Sequence, residues 1–101
     1  MNFLGKLKVY IVSYDISDQK RLYRVHKTMK GFGEPIHYSV FRCNLSDKDK
    51  VELIAILSEI IKHDEDRIMI IDLGFLDGYV ERRIDLIGIH PEEIDDSAII
   101  V

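Results

Sequence analysis

The sequence predicts an α+β domain in which two helices cover one face of an antiparallel sheet. Apolar runs rich in β-branched and aromatic residues, typical of buried strands, occupy residues 7–15 and 67–73. Apolar residues recur at helical spacing in residues 17–31 and 46–63. An extended segment, residues 36–45, lies between the two helices. The order of elements is therefore strand, helix, extended segment, helix, strand.

The first strand, residues 7–15, is the element around which we expect the others to be arranged. Its apolar residues are almost continuous, which predicts that both of its faces are covered. The strand ends at Asp15, and a helix begins within the next three residues. A carboxylate at such a junction is fixed by the strand and exposed by the loop. Asp15 is therefore a candidate functional residue; the alternative is that it only helps to cap the helix.

The first helix, predicted for residues 17–31, packs on the sheet through one apolar stripe. The stripe consists of Leu22, Val25 and Met29. Ser17 or Asp18 is suited to capping the first turn, because its side-chain oxygen can accept a hydrogen bond from a free backbone amide. Either Gly31 or Gly33 can end the helix in the left-handed conformation.

The opposite side of this helix is basic. Its cations are Lys20, Arg21, Arg24 and Lys27. No acidic residue lies between Asp18 and Glu34, although like charges one turn apart repel. The net charge of the chain is −4, yet residues 1–43 carry eight Lys/Arg and three Asp/Glu, a net of +5. The basic side is either a solvated surface or a surface that binds the phosphates of a nucleic acid.

The middle of the chain leaves one question open. Residues 36–45 form either one long strand or two short ones. Residues 46–63 form a helix that Ser46 caps and whose broad apolar arc packs on the core. The acidic turn at residues 63–66 contains a histidine, but consecutive side chains point in different directions. We interpret this turn as a solvated loop rather than a cation site.

The end of the chain is expected to add extended segments. Residues 79–87 are predicted to form a strand with Arg82 and Arg83 as its polar residues. Residues 98–101 are all apolar and follow an acidic linker. We expect them to form a strand that pairs with another strand, because an unpaired apolar strand at a terminus would fray and aggregate. The overall order approaches the ferredoxin-like βαββαβ arrangement, in which one sheet face carries no helices. An apolar uncovered face favours a dimer.

Composition indicates one small domain. The chain has 101 residues, of which 47% are hydrophobic, and we treat residues 1–101 as one domain with a core at about 7–73 and a dimerisation segment at about 79–101. It has no apolar run long enough to span a bilayer and no signal-peptide pattern, so we expect a cytoplasmic protein without a membrane partner. The single cysteine, Cys43, excludes an internal disulfide and is expected to be a half-buried structural thiol.

Four features of the sequence occur together at a characteristic spacing: Val12-Ser13-Tyr14-Asp15-Ile16-Ser17-Asp18, then Arg21 and Arg24, then Gly33, then Tyr38-Ser39-Val40-Phe41. In these residues the chain resembles the family of the small CRISPR-associated adaptation protein, the second Cas protein. The resemblance covers about residues 7–73, and the family is often described as a metal-dependent endoribonuclease. It implies a ferredoxin-like fold and a symmetric homodimer in which the C-terminal strand reaches the partner's sheet. It also implies a role in spacer acquisition, in which the dimer bridges copies of the larger integrase and holds duplex DNA.

The candidate site centres on Asp15 as the catalytic residue and metal ligand. Mg²⁺ is usually held by one or two carboxylates, and a two-fold axis would supply Asp15 twice, so we expect one Mg²⁺ per dimer between the two copies. The metal could activate a water and neutralise charge on a phosphodiester. Ser39 is expected to support Asp15 or a water, or to be an ordinary strand serine, and Phe41 is expected to pack in the core.

Three functions remain open. The first is a Mg²⁺-dependent endonuclease that acts on RNA or DNA, including single-stranded RNA, through Asp15. The second is a non-catalytic scaffold that holds duplex DNA through Lys20, Arg21, Arg24 and Lys27 and does not need Asp15. The third is a small ligand-sensing domain on the same fold. That domain would need a glycine-lined pocket, which the sequence does not indicate, and it leaves the basic helix unexplained.

Overall fold

The computed structural model describes residues 7–89. Its elements are β1 (Lys8–Asp15), α1 (Gln19–Lys30), β2 (Glu34–His37), β3 (Val40–Leu45), α2 (Asp47–Ile60) and β4 (Arg67–Phe75), followed by a 3₁₀ turn at Val80–Arg83. The four strands form one antiparallel sheet in the order β2-β3-β1-β4. The predicted α+β fold with βαββαβ order is therefore confirmed.

The extended segment between the helices is a hairpin, which answers the question that the sequence left open. β2 and β3 pair antiparallel on either side of a turn at Tyr38 and Ser39. The Ser39 carbonyl accepts a hydrogen bond from the Tyr14 amide at 3.0 Å. The turn is thereby attached to the end of β1, one residue before Asp15.

The core lies between the sheet and the two helices. Alternate residues of β1, namely Tyr10, Val12 and Tyr14, point toward the helices and are buried. The cluster is completed by Phe41, Cys43 and Leu45 of β3, Val25 and Met29 of α1, and Leu53, Leu57 and Ile60 of α2. Two details differ from expectation. Cys43 is fully rather than half buried, and His26 joins the buried face of α1.

The other face of the sheet is only partly covered. Met69 and Ile71 of β4 lie on this face and expose 52% and 41% of their surface. The 3₁₀ turn is tied to the sheet by an ion pair of 2.7 Å between Arg42 and Glu81, and the adjoining Val80 is fully buried. On this face of β1, Val9 is fully buried and Ile11 and Ser13 are partly buried. The part of the face beside Met69 and Ile71 has no covering element among residues 7–89.

The predicted strand at residues 79–87 is wrong. Val80–Arg83 form a 3₁₀ turn, and residues 84–89 have no regular structure. The Tyr79 amide donates to the Asp77 carboxylate at 2.8 Å, and the Arg83 guanidinium donates to the Leu73 carbonyl at 2.9 Å. These bonds fold the segment back on β4 instead of extending it. The predicted terminal strand, residues 98–101, and its acidic linker lie outside the described residues.

The end of α1 also differs from expectation. Gly31 has a φ of −81° and continues the right-handed turn, and the left-handed glycines among residues 7–89 are Gly74 and Gly88. Gly33 has a different role, because a Cβ there would overlap the Arg42 carbonyl oxygen and the Cys43 sulfur. It is glycine because the segment after α1 approaches β3 too closely at this point for any side chain.

None of the helices within residues 7–89 has the length and apolar character needed to cross a membrane.

Candidate functional site

Asp15 lies at the last position of β1 and is exposed, opposite Arg67 of β4. Its carboxylate has no hydrogen bond or ion pair with any other residue in the part of the chain that the structure describes. The cap of α1 is Asp18, whose Oδ2 accepts a hydrogen bond from the Arg21 amide at 3.0 Å. Of the two interpretations of Asp15, helix capping is therefore excluded.

Asp15 borders an open polar cavity of about 310 Å³. The remaining lining residues are Arg67, the first residue of β4, and the loop residues before it: His63, Asp64, Glu65 and Asp66. His63 bonds through Nε2 to the Ser58 carbonyl at 2.9 Å. A carbonyl only accepts, so Nε2 is the donor in this hydrogen bond. The cavity thus places one unpaired carboxylate beside a loop of titratable groups.

Asp66 holds this region together. Its carboxylate is fully buried and accepts hydrogen bonds from Arg21 through Nε at 2.7 Å and through Nη2 at 3.2 Å. It also accepts from the Ser17 amide and hydroxyl at 3.0 and 3.1 Å and from the Lys62 amide at 2.8 Å. One carboxylate therefore joins the loop after β1, the first helix and the loop before β4.

These bonds stabilise the charged form of Asp66. The guanidinium of Arg21 and the amides of Lys62 and Ser17 hold the pKa of this carboxyl well below its usual range, against the opposing effect of burial. The solvated loop expected at residues 63–66 is correct for the exposed Asp64 and wrong for Asp66. Its loop position suggested exposure, but the partner that buries it lies 45 residues away in sequence.

The basic residues of α1 fall into two groups. Lys20, Arg24 and Lys27 are exposed, and none of them forms an ion pair with another residue between positions 7 and 89. Arg21 instead is partly buried by its bonds to Asp66 and makes a second contact with Glu65 at 3.5 Å. Three of the four predicted phosphate contacts are thus available at the surface, and the fourth is committed to an internal pair.

Ser39 and Phe41 lie on the hairpin beside Asp15. Ser39 contacts the end of β1 through its backbone carbonyl, as described above, which fixes the strand next to Asp15. Phe41 is fully buried, with its ring centroid 5.3 Å from that of His26 in an edge contact and 6.3 Å from that of Tyr14. The expected core role of Phe41 is confirmed.

The donor groups present fit a sparsely coordinated Mg²⁺ better than a metal enclosed by the protein. Residues 7–89 contain no cluster of three or more His, Cys, Asp or Glu side chains that could hold an ion. Mg²⁺ accepts such a site because it keeps several of its waters and needs one or two carboxylates. Asp15 is an exposed carboxylate of the kind that such a site uses.

Comparison with known families decides the identity of the chain. The family model described as CRISPR associated protein Cas2 matches residues 8–75. This chain belongs to the Cas2 family. The matched range contains β1 to β4, both helices and every residue of the candidate site.

Individual Cas2 relatives support the assignment. The CRISPR-associated endoribonuclease Cas2 of Geobacter sulfurreducens is 41% identical over 93 residues, which cover 92% of this chain and 97% of the relative. A CRISPR-associated endoribonuclease Cas2 of Rhodospirillum rubrum is 35% identical over 92 residues, 91% of this chain and 89% of the relative. The similarity thus extends over nearly the full length of both proteins.

Solved structures agree with the fold. Cas2 of Streptococcus pyogenes superimposes with a TM-score of 0.68 at 27% identity and covers 79% of this chain and 99% of its own. A hypothetical protein from Thermus thermophilus gives 0.71 at 25% identity, with 84% and 95% coverage. The Cas2-like arrangement of helices and strands described above therefore matches experimentally determined structures.

Sequence reasoning missed three residues in or near this Cas2-family site. The sequence pattern places Asp66 and His63 together in an acidic loop with exposed neighbours. Tyr23 was not considered, although it is exposed next to Arg24 on α1. A signal for Asp66 was present in the four-residue spacing of Ser17 and Arg21, which places both side chains on one side of the first turn. No sequence signal indicated which acid would meet them.

Proposed function

We propose that this chain forms a homodimer that binds nucleic acid and hydrolyses RNA or DNA phosphodiesters in a Mg²⁺-dependent reaction. We place it in CRISPR adaptation, an antiviral defence, as a cytoplasmic partner of the larger integrase. The observation that carries the nuclease activity is the exposed carboxylate of Asp15, which has no partner within residues 7–89, in a family whose relatives above are named endoribonucleases.

The residues around Asp15 would prepare it for this role. The Asp15 carboxylate would hold the ion, which when bound would activate a water and neutralise charge on the phosphodiester. Ser39 fixes the end of β1 through its carbonyl, and the Arg21–Asp66 pair fixes the loops on both sides of the cavity. Rigid support of this kind keeps a reactive group in place without adding a ligand.

The dimer follows from the uncovered sheet face. A two-fold axis through this face would bury Met69 and Ile71 and place two Asp15 residues for one Mg²⁺. We assign residues 79–101 to dimerisation. Beside β4 an apolar groove of about 310 Å³, whose lining includes Ile54, Ile68 and Ile70, offers cover for the partner's apolar residues 98–101.

A second function, a scaffold that holds duplex DNA without cutting it, is favoured by an independent observation. Lys20, Arg24 and Lys27 are exposed cations on α1 without ion-pair partners among residues 7–89. Phosphate contacts need such cations and make no use of Asp15. The two functions share the nucleic-acid surface and differ only in whether Asp15 is needed.

Cleavage assays on purified protein distinguish the two functions. Labelled single-stranded RNA and duplex DNA are incubated with and without Mg²⁺, with the unmodified chain and with Asp15→Asn. We expect cleavage that requires Mg²⁺ and falls with Asp15→Asn to the level seen without metal. The reason is that an amide cannot replace the charge of the carboxylate at the ion.

The matched control is Glu52→Gln, which makes the same change from acid to amide at an exposed position of α2 outside the cavity and should leave cleavage unchanged. If Asp15→Asn cleaves as fast as the unmodified chain, Asp15 is not the metal ligand. If neither protein cleaves and both bind duplex DNA equally, the scaffold function replaces the nuclease.

A further inference from the structure

A groove between α1 and α2 includes two of the cations proposed above as phosphate contacts, Arg24 and Lys27, but its other lining residues have no role in that function. It encloses about 510 Å³ and is lined by Tyr23, Arg24 and Lys27 from α1 and by Ile56, Glu59 and Ile60 from α2. It shares no residue with the cavity beside Asp15. It lies on the helix layer, away from the sheet face proposed for the dimer. The volume falls within the range of about 300–1,000 Å³ that ligand pockets occupy.

The two walls of the groove differ in charge. Arg24 and Lys27 are exposed on the α1 wall, and neither forms an ion pair with a residue that the structure describes. Glu59 is the acid among the lining residues and lies on the α2 wall. An anionic chain in the groove is therefore expected to run along α1, where the cations attract it, and to avoid α2.

Tyr23 gives the groove a second chemical property. Its side chain is exposed, with 47% of the residue accessible, and it lines the groove next to the two cations. The floor between the helices includes Ile60, which is almost fully buried, and Ile56, which is partly buried. An exposed aromatic ring beside cations and above an apolar floor is the combination that receives unpaired bases, because bases stack on the ring while the cations hold the phosphates.

We propose that this groove binds a single-stranded nucleic acid, with one base stacked on Tyr23 and its phosphates at Arg24 and Lys27. A duplex cannot use Tyr23 in this way, since its bases are already stacked on one another. The inference rests on the proposed function only in that the chain handles nucleic acid. It does not require that Asp15 cleaves anything.

Binding of a short labelled oligouridine tests the proposal, measured by fluorescence anisotropy in EDTA so that no Mg²⁺-dependent cleavage occurs. Tyr23→Ala should raise the dissociation constant about fivefold to 150-fold, the usual effect of removing one stacking ring. Tyr23→Phe keeps the ring and should bind as tightly as the unmodified chain. Tyr38→Ala, which removes an exposed ring at the turn between β2 and β3 and outside the groove, should have no effect.

Two further probes separate stacking from a general decrease in binding. A strand of abasic nucleotides has phosphates but no bases, so Tyr23→Ala and the unmodified chain should bind it equally. Duplex DNA should also show no difference between them. If Tyr23→Ala lowers the affinity equally for oligouridine, abasic strand and duplex, the proposal is overturned, because such a decrease would indicate a change in charge or folding instead.

The possible failures are distinguishable. If the unmodified chain binds oligouridine and Tyr23→Ala binds it equally well, the groove is not the single-strand site, while the proposed function stands. If the unmodified chain binds neither single strands nor duplex DNA, both proposals fail. Thermal unfolding of Tyr23→Ala close to that of the unmodified chain shows that weaker binding does not come from unfolding.

Discussion

The Arg21–Asp66 ion pair is formed by two residues that look like surface residues in the sequence, although the Asp66 side chain is buried in the fold. Both residues belong to stretches that are polar in sequence, yet the Asp66 side chain is fully buried and receives five hydrogen bonds. A buried carboxylate is tolerated only when its oxygens are paired and bonded in this way. Arg21 is therefore a structural residue of the candidate site, and the cations left for a nucleic acid are its neighbours on α1.

Asp66 should make stability depend on acidity. Its pKa is lower in the folded chain than in the unfolded chain, where it is about 3.9. The stabilisation is thus complete above that value and is lost as the pH falls below it. We expect the free energy of unfolding of the unmodified chain, from urea denaturation at one protein concentration, to be lower near pH 3 than near pH 7.

Asp66→Asn should be less stable than the unmodified chain near pH 7 and should show a smaller decrease in stability on acidification. Asp64→Asn alters the exposed acid two positions away and should keep the original pH dependence. An acid-induced decrease that is equal in all three proteins would mean that other carboxyls cause it and that the Asp66 pair contributes little.

Gly33 is a position where only glycine fits, for steric reasons. A Cβ at this position would overlap the backbone of β3 at Arg42 and the sulfur of Cys43. The Cys43 thiol has no room to move, since it is fully buried, and its burial raises the pKa of the thiol to about 11. The thiol therefore stays protonated and serves packing rather than chemistry.

Gly33→Ala should destabilise the fold by about 1–3 kcal/mol, the usual range for forcing extra volume into a packed region. Gly78→Ala is the matched control, because nothing lies within 4 Å of a Cβ there. Urea denaturation of both variants measures the difference. Equal stability of the two would show that residue 33 and β3 move apart easily and that the close approach is not a constraint.

At the scale of elements, the regular parts were predictable because periodicity alone specifies them. β1, α1, α2 and β4 each show a long pattern in sequence, and the structure places each within a few residues of its prediction. The hairpin at residues 34–45 and the 3₁₀ turn were not predictable. Both depend on bonds to distant residues: the Ser39 carbonyl to Tyr14, and Glu81 to Arg42.

The basic side of α1 leads to a prediction about salt. Arg24→Glu should weaken binding of duplex DNA and reduce the slope of log affinity against log salt by about one unit for each phosphate that the variant no longer neutralises. Lys48→Glu makes the same reversal of charge at an exposed position of α2 and should change both quantities less. If Arg24→Glu leaves both the affinity and the salt dependence unchanged, the nucleic acid does not bind on this helix.

At the scale of the whole molecule, the fold was predictable and the site only in part. The order of elements specified the ferredoxin-like sheet, and the exposure of Asp15 followed from its place at the end of a strand. What the sequence could not supply were contacts between segments far apart, such as residues 21 and 66 or the two helices that form the groove at Tyr23. These depend on how the layers pack, which periodicity does not specify.

The apolar sheet face leads to the last prediction. Ile71 is 41% exposed beside Met69 on a face that the described part of the chain leaves open. A symmetric interface there would contain each substituted residue twice. Ile71→Glu would therefore bury two unpaired carboxylates, each costing about 3 kcal/mol or more. We expect the dissociation constant of the dimer to rise by about 10,000-fold or more, since about 1.4 kcal/mol corresponds to a factor of ten.

The dissociation constant of the dimer is measured by light scattering coupled to size-exclusion chromatography over a range of protein concentrations. Val51→Glu is the matched control, since Val51 is 68% exposed on α2, away from the sheet face, and should leave the mass unchanged. Because the proposed Mg²⁺ site needs two copies of Asp15, Ile71→Glu should abolish the dimer and metal-dependent cleavage together. A monomeric variant that still cleaves at the original rate would show that one Asp15 is sufficient and that the dimer axis is not the metal site.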